Sequence, residues 1–299
     1  MRTILGFVLA TLLGSAAVAA EPRLIWEAKG LAQPESVVYD PVTDVLYVSN
    51  INGTVMQKDG NGFIARLKPD GTILERQWIK GLNAPTGLAM RDRKLYVADV
   101  DELIEINPAS GHINKRYKAK GAIFLKDVAI GEDGTIYVSD TPMNTIWRLK
   151  DGTFEPWLTN DNLNHPNGLI VQGDKLIVAS FGSMPSQGQK QEPAGLLTVN
   201  LEDQTITPLG NGDAIGNLDG LEPLDHGAYL VTDWAAGALY RVDSMGKASK
   251  LIDLNQGSAD LNYFPTKKTV LIPMMLDNTL AAYSLSAPHS KAKPASKPK

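Results

Sequence analysis

The 299-residue sequence contains no cysteine, so no disulfide can brace the fold and stability has to come from a sizeable buried core. Past the first 20 residues, no apolar run approaches the roughly 20 residues that a membrane-spanning helix needs. The body carries no basic stripe and the formal net charge is −4, which removes the electrostatic case for nucleic acid as a partner. Amphipathic helical periodicity of useful length is also missing. That disfavours Rossmann and TIM-barrel architectures, in which helices alternate with strands. Scans for Gly-x-x-x-x-Gly-Lys-Ser/Thr, Gly-x-Ser-x-Gly and His-Glu-x-x-His return nothing, which argues against P-loop, serine-triad and helix-borne zinc chemistry.

The residues that are present begin with Arg2, an apolar stretch over 4–13 and the small-residue run Ala16-Ala17-Val18-Ala19-Ala20. That order reads as a secretory signal peptide over residues 1–20, with a mature chain starting near Glu21 and a periplasmic or secreted location. Residues 287–299 hold lysine, proline, serine, alanine and His289, with no large apolar side chain. They cannot offset their ordering entropy and are expected to form a disordered basic tail. Residues 21–286 remain, a length that suits two ordinary domains or one large all-β or α/β-barrel domain.

An internal repeat decides between them. Leu46-Tyr47-Val48-Ser49-Asn50 recurs as Leu95-Tyr96-Val97-Ala98-Asp99, then at 136–140, 176–180 and 229–233, with a degenerate sixth copy at 270–274. About ten residues before each copy lies a second shared element, at 34–38, 85–89, 126–130, 166–170, 218–222 and 259–263. Each pair is followed by further β-prone residues around a tight turn, Asp70-Gly71 or Asp151-Gly152, and Asp-Gly between such runs signals a hairpin. Six copies of four short antiparallel strands predict an all-β, six-bladed β-propeller. The last copy has room for only three strands. The orphan strand Arg23-Leu24-Ile25-Trp26-Glu27-Ala28 is therefore expected to pair as the outer strand of the sixth blade and close the ring.

Each innermost strand begins beside the channel axis, so one polar residue per blade points toward a shared volume: Glu35, Thr86, Asp127, Asn167, Asp219 and Asp260. Four carboxylates meeting there need a cation, bound protons or an ammonium to compensate them. An oxygen-only donor set suits a hard cation, and Ca²⁺ better than zinc. A second ring, Asn50, Asp99, Asp140, Ser180 and Asp233, ends the second strands, where turn chemistry is the default role. Which channel mouth this ring shares depends on strand direction. His165, two residues before Asn167, is either a solvated loop histidine or a proton shuttle. The longer loop from 182 to 195 interrupts the fourth repeat and reads as a lid or as disorder.

In these residues the chain resembles the SMP-30/gluconolactonase/LRE-like family of six-bladed propellers, over essentially the whole mature length. The resemblance implies a divalent cation, most often calcium, held by Glu35 in Pro-Glu-Ser, Asn167 in Pro-Asn-Gly-Leu and Asp219 in Leu-Asp-Gly-Leu. It also implies Asp219 as the catalytic base or water activator of a lactone or ester hydrolase. Family lactonases carry Arg-x-Asn-Asp in the third blade, where this chain has Phe124-Leu125-Lys126-Asp127. The substrate-facing residues are then Phe124, Lys126, Asp127 and His165. An ammonium at Lys126 either takes over the charge of the metal or pairs with Asp127 or Asp260 and leaves the metal in place. The competing reading is a non-catalytic NHL-like propeller that binds a small molecule, peptide or protein, with Trp157, Trp234, Met274 and Met275 as a candidate patch.

Overall fold

In a computed structural model that describes residues 22–184 and 190–286, the chain folds into six four-stranded antiparallel sheets. The expected signal segment and basic tail lie outside the described residues. Strand β1 (Arg23–Lys29) comes first and waits for the end of the chain. Blade 1 is β2 (Pro34–Asp40), β3 (Val45–Asn50), β4 (Gly62–Leu67) and β5 (Ile73–Leu82). Blade 2 is β6 (Pro85–Arg91), β7 (Lys94–Asp99), β8 (Glu102–Ile106) and β9 (Ile113–Lys118). Blade 3 is β10 (Leu125–Ile130), β11 (Ile136–Asp140), β12 (Thr145–Lys150) and β13 (Thr153–Thr159). Blade 4 is β14 (Pro166–Gln172), β15 (Lys175–Ser180), β16 (Leu196–Asn200) and β17 (Ile206–Pro208). Blade 5 is β18 (Leu218–Pro223), β19 (Tyr229–Asp233), β20 (Ala238–Val242) and β21 (Ala248–Asp253). Blade 6 is β22 (Asn262–Phe264), β23 (Thr269–Met274) and β24 (Thr279–Ser284), completed by β1.

The closing strand pairs as the sequence predicts, with Arg23 opposite Ser284 and Lys29 opposite Thr279. Closure leaves no open gap between the first and last blades, which an unpaired edge would expose. The Asp151-Gly152 hairpin is a two-residue turn between Lys150 and Thr153, with φ of 50° and 80°. Both turn residues therefore sit in the left-handed region that this turn type requires and that Asp-Gly tolerates. Among the described residues no helix is long and apolar enough to cross a membrane.

The core lies between blades. Val45, Tyr47, Ile64 and Ile79 of blade 1 pack on Leu95, Val97, Ile104 and Ile106 of blade 2, and similar clusters recur around the ring. Second strands such as β11 are buried along their whole length because both faces meet a neighbouring blade. Outer strands such as β9 present mostly exposed residues. Trp157, a member of the proposed patch, belongs to this core, packed edge-on against Tyr137 at 5.1 Å. Met274 is likewise core, between β23 and its neighbours.

Candidate functional site

A β-bulge repeated in the inner strands builds the channel lining. In blade 1 Pro34 pairs with Asn50 and the next pair is Val37 with Val48, so Glu35 and Ser36 together oppose Ser49. The same shift falls between Pro85 and Leu88, Leu125 and Val128, Pro166 and Leu169, and Leu218 and Leu221. Each bulge thus delivers two consecutive residues to the axis, one layer below the other. The first layer is Glu35, Thr86, Lys126, Asn167 and Asp219, with Ala259 completing it in blade 6, next to the bridge between Ser258 and Met274. The second layer is Ser36, Gly87, Asp127, Gly168, Gly220 and Asp260.

This register corrects the expected ring. Asp127 and Asp260 do not share a layer with Glu35, Asn167 and Asp219; the blade-3 residue in that layer is Lys126. Asp127 instead braces the blades: its Oδ1 accepts from the Val128 N–H and its Oδ2 from the Leu169 N–H of blade 4, both at 2.7 Å. Asp260 accepts from Ser36 Oγ at 2.5 Å and from the Leu261 N–H at 2.8 Å. Glycine is required beside them, since a Cβ on Gly220 would lie 2.6 Å from the Asp260 Cα and one on Gly168 would lie 2.3 Å from the Asp219 carbonyl oxygen.

Lys126 reaches across the channel from blade 3 to blades 1 and 5. Its Nζ donates to Glu35 Oε1 and lies 3.3 Å from Asp219 Oδ2 and 3.5 Å from Oδ1. All three side chains are largely buried, at 12% exposure for Lys126, 2% for Glu35 and 3% for Asp219. Burial works to lower the Lys126 pKa, but Asp219 and Glu35 outweigh it and hold the amine above its usual range, as an ammonium. Burial raises Asp219, with Lys126 opposing, and pushes Glu35 up to about 7 against the pull of the same ammonium. Asn167 is buried beside them, its amide nitrogen donating to the Leu218 carbonyl at 3.2 Å.

Of the two placements open for Lys126, the structure therefore realises the one in which the lysine takes over the charge of a cation. Glu35, Asn167 and Asp219 do converge, but the two carboxylates that would hold an ion already face the Lys126 ammonium. A second cation there would be repelled by the first. The donor set does not fit a resident divalent cation, and among the described residues no group of three or more His, Cys, Asp or Glu side chains is disposed to hold one.

Above the first layer the channel opens into a cavity of 160 Å³ lined by Phe124, Phe181, Trp234, Met275 and Ile51, with Lys126, Asn167 and Asp219 as its floor. Phe181 and Trp234 lie 6.5 Å apart, ring centre to ring centre. Of the expected substrate-facing residues, Phe124 and Lys126 line this cavity. Asp127 instead lines a second cavity, of 260 Å³, at the other end of the channel, together with Asp260, Glu222 and apolar residues such as Leu88 and Leu169. His165 is outside both cavities, and its backbone N–H donates to Asn144 Oδ1 at 2.6 Å. Burial lowers its pKa, against the pull of Asp161.

The apolar rim has a sequence signal that the repeat reading passed over. Ile51, Val100, Thr141, Phe181, Trp234 and Met275 each immediately follow the last residue of a second strand. Five of the six line the cavity, and Val100 packs on Ile51 and Met275 in the cluster beside it. The preceding ring is structural and shares the same mouth, since Pro34 faces Asn50 and Pro85 faces Asp99. Asp99 accepts the Asn83 and Ala84 N–H groups at 2.9 and 2.8 Å, and Asp140 those of Ile123 and Phe124 at 3.1 Å. These two carboxylates hold the loop that enters their own blade, 15 to 17 residues upstream, instead of closing a turn on their own backbone as expected.

No family model and no curated protein matches the sequence. Solved structures do match the fold. A gluconolactonase from Xanthomonas campestris is 15% identical, with a TM-score of 0.64 over 91% of this chain and 99% of that one. A catalytically inactive virginiamycin B lyase from Staphylococcus aureus, solved with quinupristin, is 14% identical, with a TM-score of 0.59 over 89% and 100% of the two chains. A streptogramin B lyase is 10% identical, with a TM-score of 0.62 over 90% and 100%. In fold, then, the chain is a gluconolactonase-like six-bladed β-propeller, an architecture that streptogramin B lyases share.

Proposed function

We propose that this propeller receives a small, largely apolar carbonyl compound of the lactone or ester class in the mouth cavity above Lys126. The observation that carries the reading is the combination in one cavity of an aromatic and thioether rim with a single, largely buried ammonium donor on the floor. A few placed polar groups inside an apolar concavity are the usual anatomy of a small-molecule site. The volume restricts the ligand to a compact one. The ammonium would donate to the carbonyl oxygen, while Phe124, Phe181, Trp234 and Met275 would cover the hydrocarbon part. The gluconolactonase likeness supports the ligand class, because the name of that enzyme specifies a lactone. The signal-like pattern over residues 2–20 supports an exported setting for this binding.

Hydrolysis of the bound compound is the second reading, favoured by one observation: the Asp219 carboxylate shares the cavity floor with the ammonium. In that reading Lys126 steadies the oxyanion that develops on the carbonyl oxygen, and Asp219 takes the proton of the attacking water. A panel of γ-lactones, δ-lactones and aryl esters, titrated by calorimetry with and without excess EDTA, tests both. Saturable binding that weakens in Trp234→Ala and Lys126→Met supports the site. Turnover in the same samples that is lost in Asp219→Asn supports hydrolysis. Binding unaffected by either cavity substitution would sink the reading, and turnover that EDTA abolishes would reinstate a metal-dependent hydrolase.

A further inference from the structure

The first layer of the channel holds an arrangement that the ligand reading does not explain. Two carboxylates from blades 1 and 5 converge on one point, and a lysine from blade 3 reaches in to occupy it. A side chain of four methylenes and an ammonium is a costly way to fill a space, because its rotamer freedom is lost and its charge is desolvated. The arrangement is intelligible if the point itself demands positive charge. Glu35 Oε2 adds to that demand, being buried without a hydrogen-bond partner among the described residues. One ammonium carries +1, whereas Glu35 and Asp219 together carry −2 when ionised.

We infer that Lys126 is a built-in cation: the native protein leaves this layer free of divalent metal, and removing the lysine's charge opens a divalent-cation site between Glu35, Asp219 and Asn167. The three residues sit at the same register position of β2, β18 and β14, on bulges pinned by strand pairing at each end. Their backbones are therefore held whether or not Lys126 is present. Carboxylate and amide oxygens are the donors a hard cation takes, and water entering through the mouth cavity would complete a shell of six to eight. A double charge would compensate both carboxylates, which the single ammonium does not. The inference concerns the floor that a cavity ligand would also meet, and metal uptake is read with no ligand present, so its failure is distinguishable from failure of the ligand reading.

Calcium titration of chelator-treated full-length protein tests it, read by calorimetry and by melting temperature. The native protein should show no stoichiometric uptake and a shift in Tm below about 1 °C. Lys126→Asn and Lys126→Ala should each melt lower than native without metal and recover by about 5 °C or more at roughly a hundredfold excess of Ca²⁺ over Kd. That gain should disappear when Asp219→Asn is added. One-to-one uptake by the native protein that is lost in Asp219→Asn would overturn the inference, and so would a folded Lys126 variant whose Tm ignores the cation. Should neither variant fold, the native ammonium still decides. Its ¹⁵Nζ resonance should persist unmoved through the titration, and its displacement by Ca²⁺ would overturn the inference.

Discussion

Replacing Lys126 by methionine removes the ammonium while keeping most of the side chain's volume, so the change isolates charge from packing. The structure sets the magnitude. Nζ serves Glu35 and Asp219, and all three groups are largely buried. Breaking a buried ion pair by deleting one partner costs about 3 to 5 kcal/mol, because the remaining charges stay desolvated and uncompensated. For a chain of this size each kcal/mol moves Tm by roughly 2 to 4 °C, so Lys126→Met should melt roughly 10 °C below native at pH 8. The penalty should shrink on acidification, since protonated Glu35 and Asp219 no longer need a cation. Adding Glu35→Gln to Lys126→Met should restore stability instead of adding a second loss, a coupling expected only of groups in contact. Urea unfolding of the four proteins followed by far-UV circular dichroism measures the cycle. A Lys126→Met variant within about 0.5 kcal/mol of native, the range of an ordinary surface substitution, would refute the placement of the ammonium.

Three further outcomes follow from the same geometry. Asp99→Ala leaves the buried Asn83 and Ala84 N–H groups without their acceptor and should cost about 2 to 4 kcal/mol in urea unfolding, with ligand binding retained in whatever fraction remains folded. Glu222, half-buried at the opposite end of the channel, accepts from Asn262 Nδ2 and the Tyr263 N–H, and burial raises its pKa to about 7. A folded-state pKa above the ordinary value of 4.5 means that the stability linked to its proton is complete below pH 4.5 and is lost as pH rises through 7. Glu222→Gln should therefore gain on native between pH 5 and 8, by about 2 kcal/mol once partial exposure is allowed for; an advantage that falls with pH would contradict this. Trp234→Ala removes one wall of the mouth cavity and should weaken binding of any cavity ligand about tenfold or more, the equivalent of some 1.5 to 3 kcal/mol of lost apolar contact, measured by calorimetric Kd.

Local chemistry made much of this protein legible in its sequence. Alternating strands, Asp-Gly turns and the sixfold recurrence that ends in Asn50, Asp99 or Asp233 are short-range signals, and they lead to six blades and a closing N-terminal strand without any knowledge of distance. The shared axis of Glu35, Asn167 and Asp219 was legible too, because equivalent positions in a ring of equivalent blades must face one axis. The layer of each residue was not legible. A bulge places two consecutive residues at the axis, and the choice of Asp127 over Lys126 for the first layer depended on whether Leu125 or Lys126 faces Asp140. A one-residue change of register exchanges an acidic neighbour for a basic one and turns a ring of acids into an ion-paired floor. The destination of the Lys126 ammonium was equally out of reach, since lysine's flexible stem can serve several partners and only the positions of blades 1 and 5 across the channel single out Glu35 and Asp219. The mouth cavity arises in the same way: Ile51, Phe181, Trp234 and Met275 are scattered over more than two hundred residues, and ring closure alone gathers them around one opening.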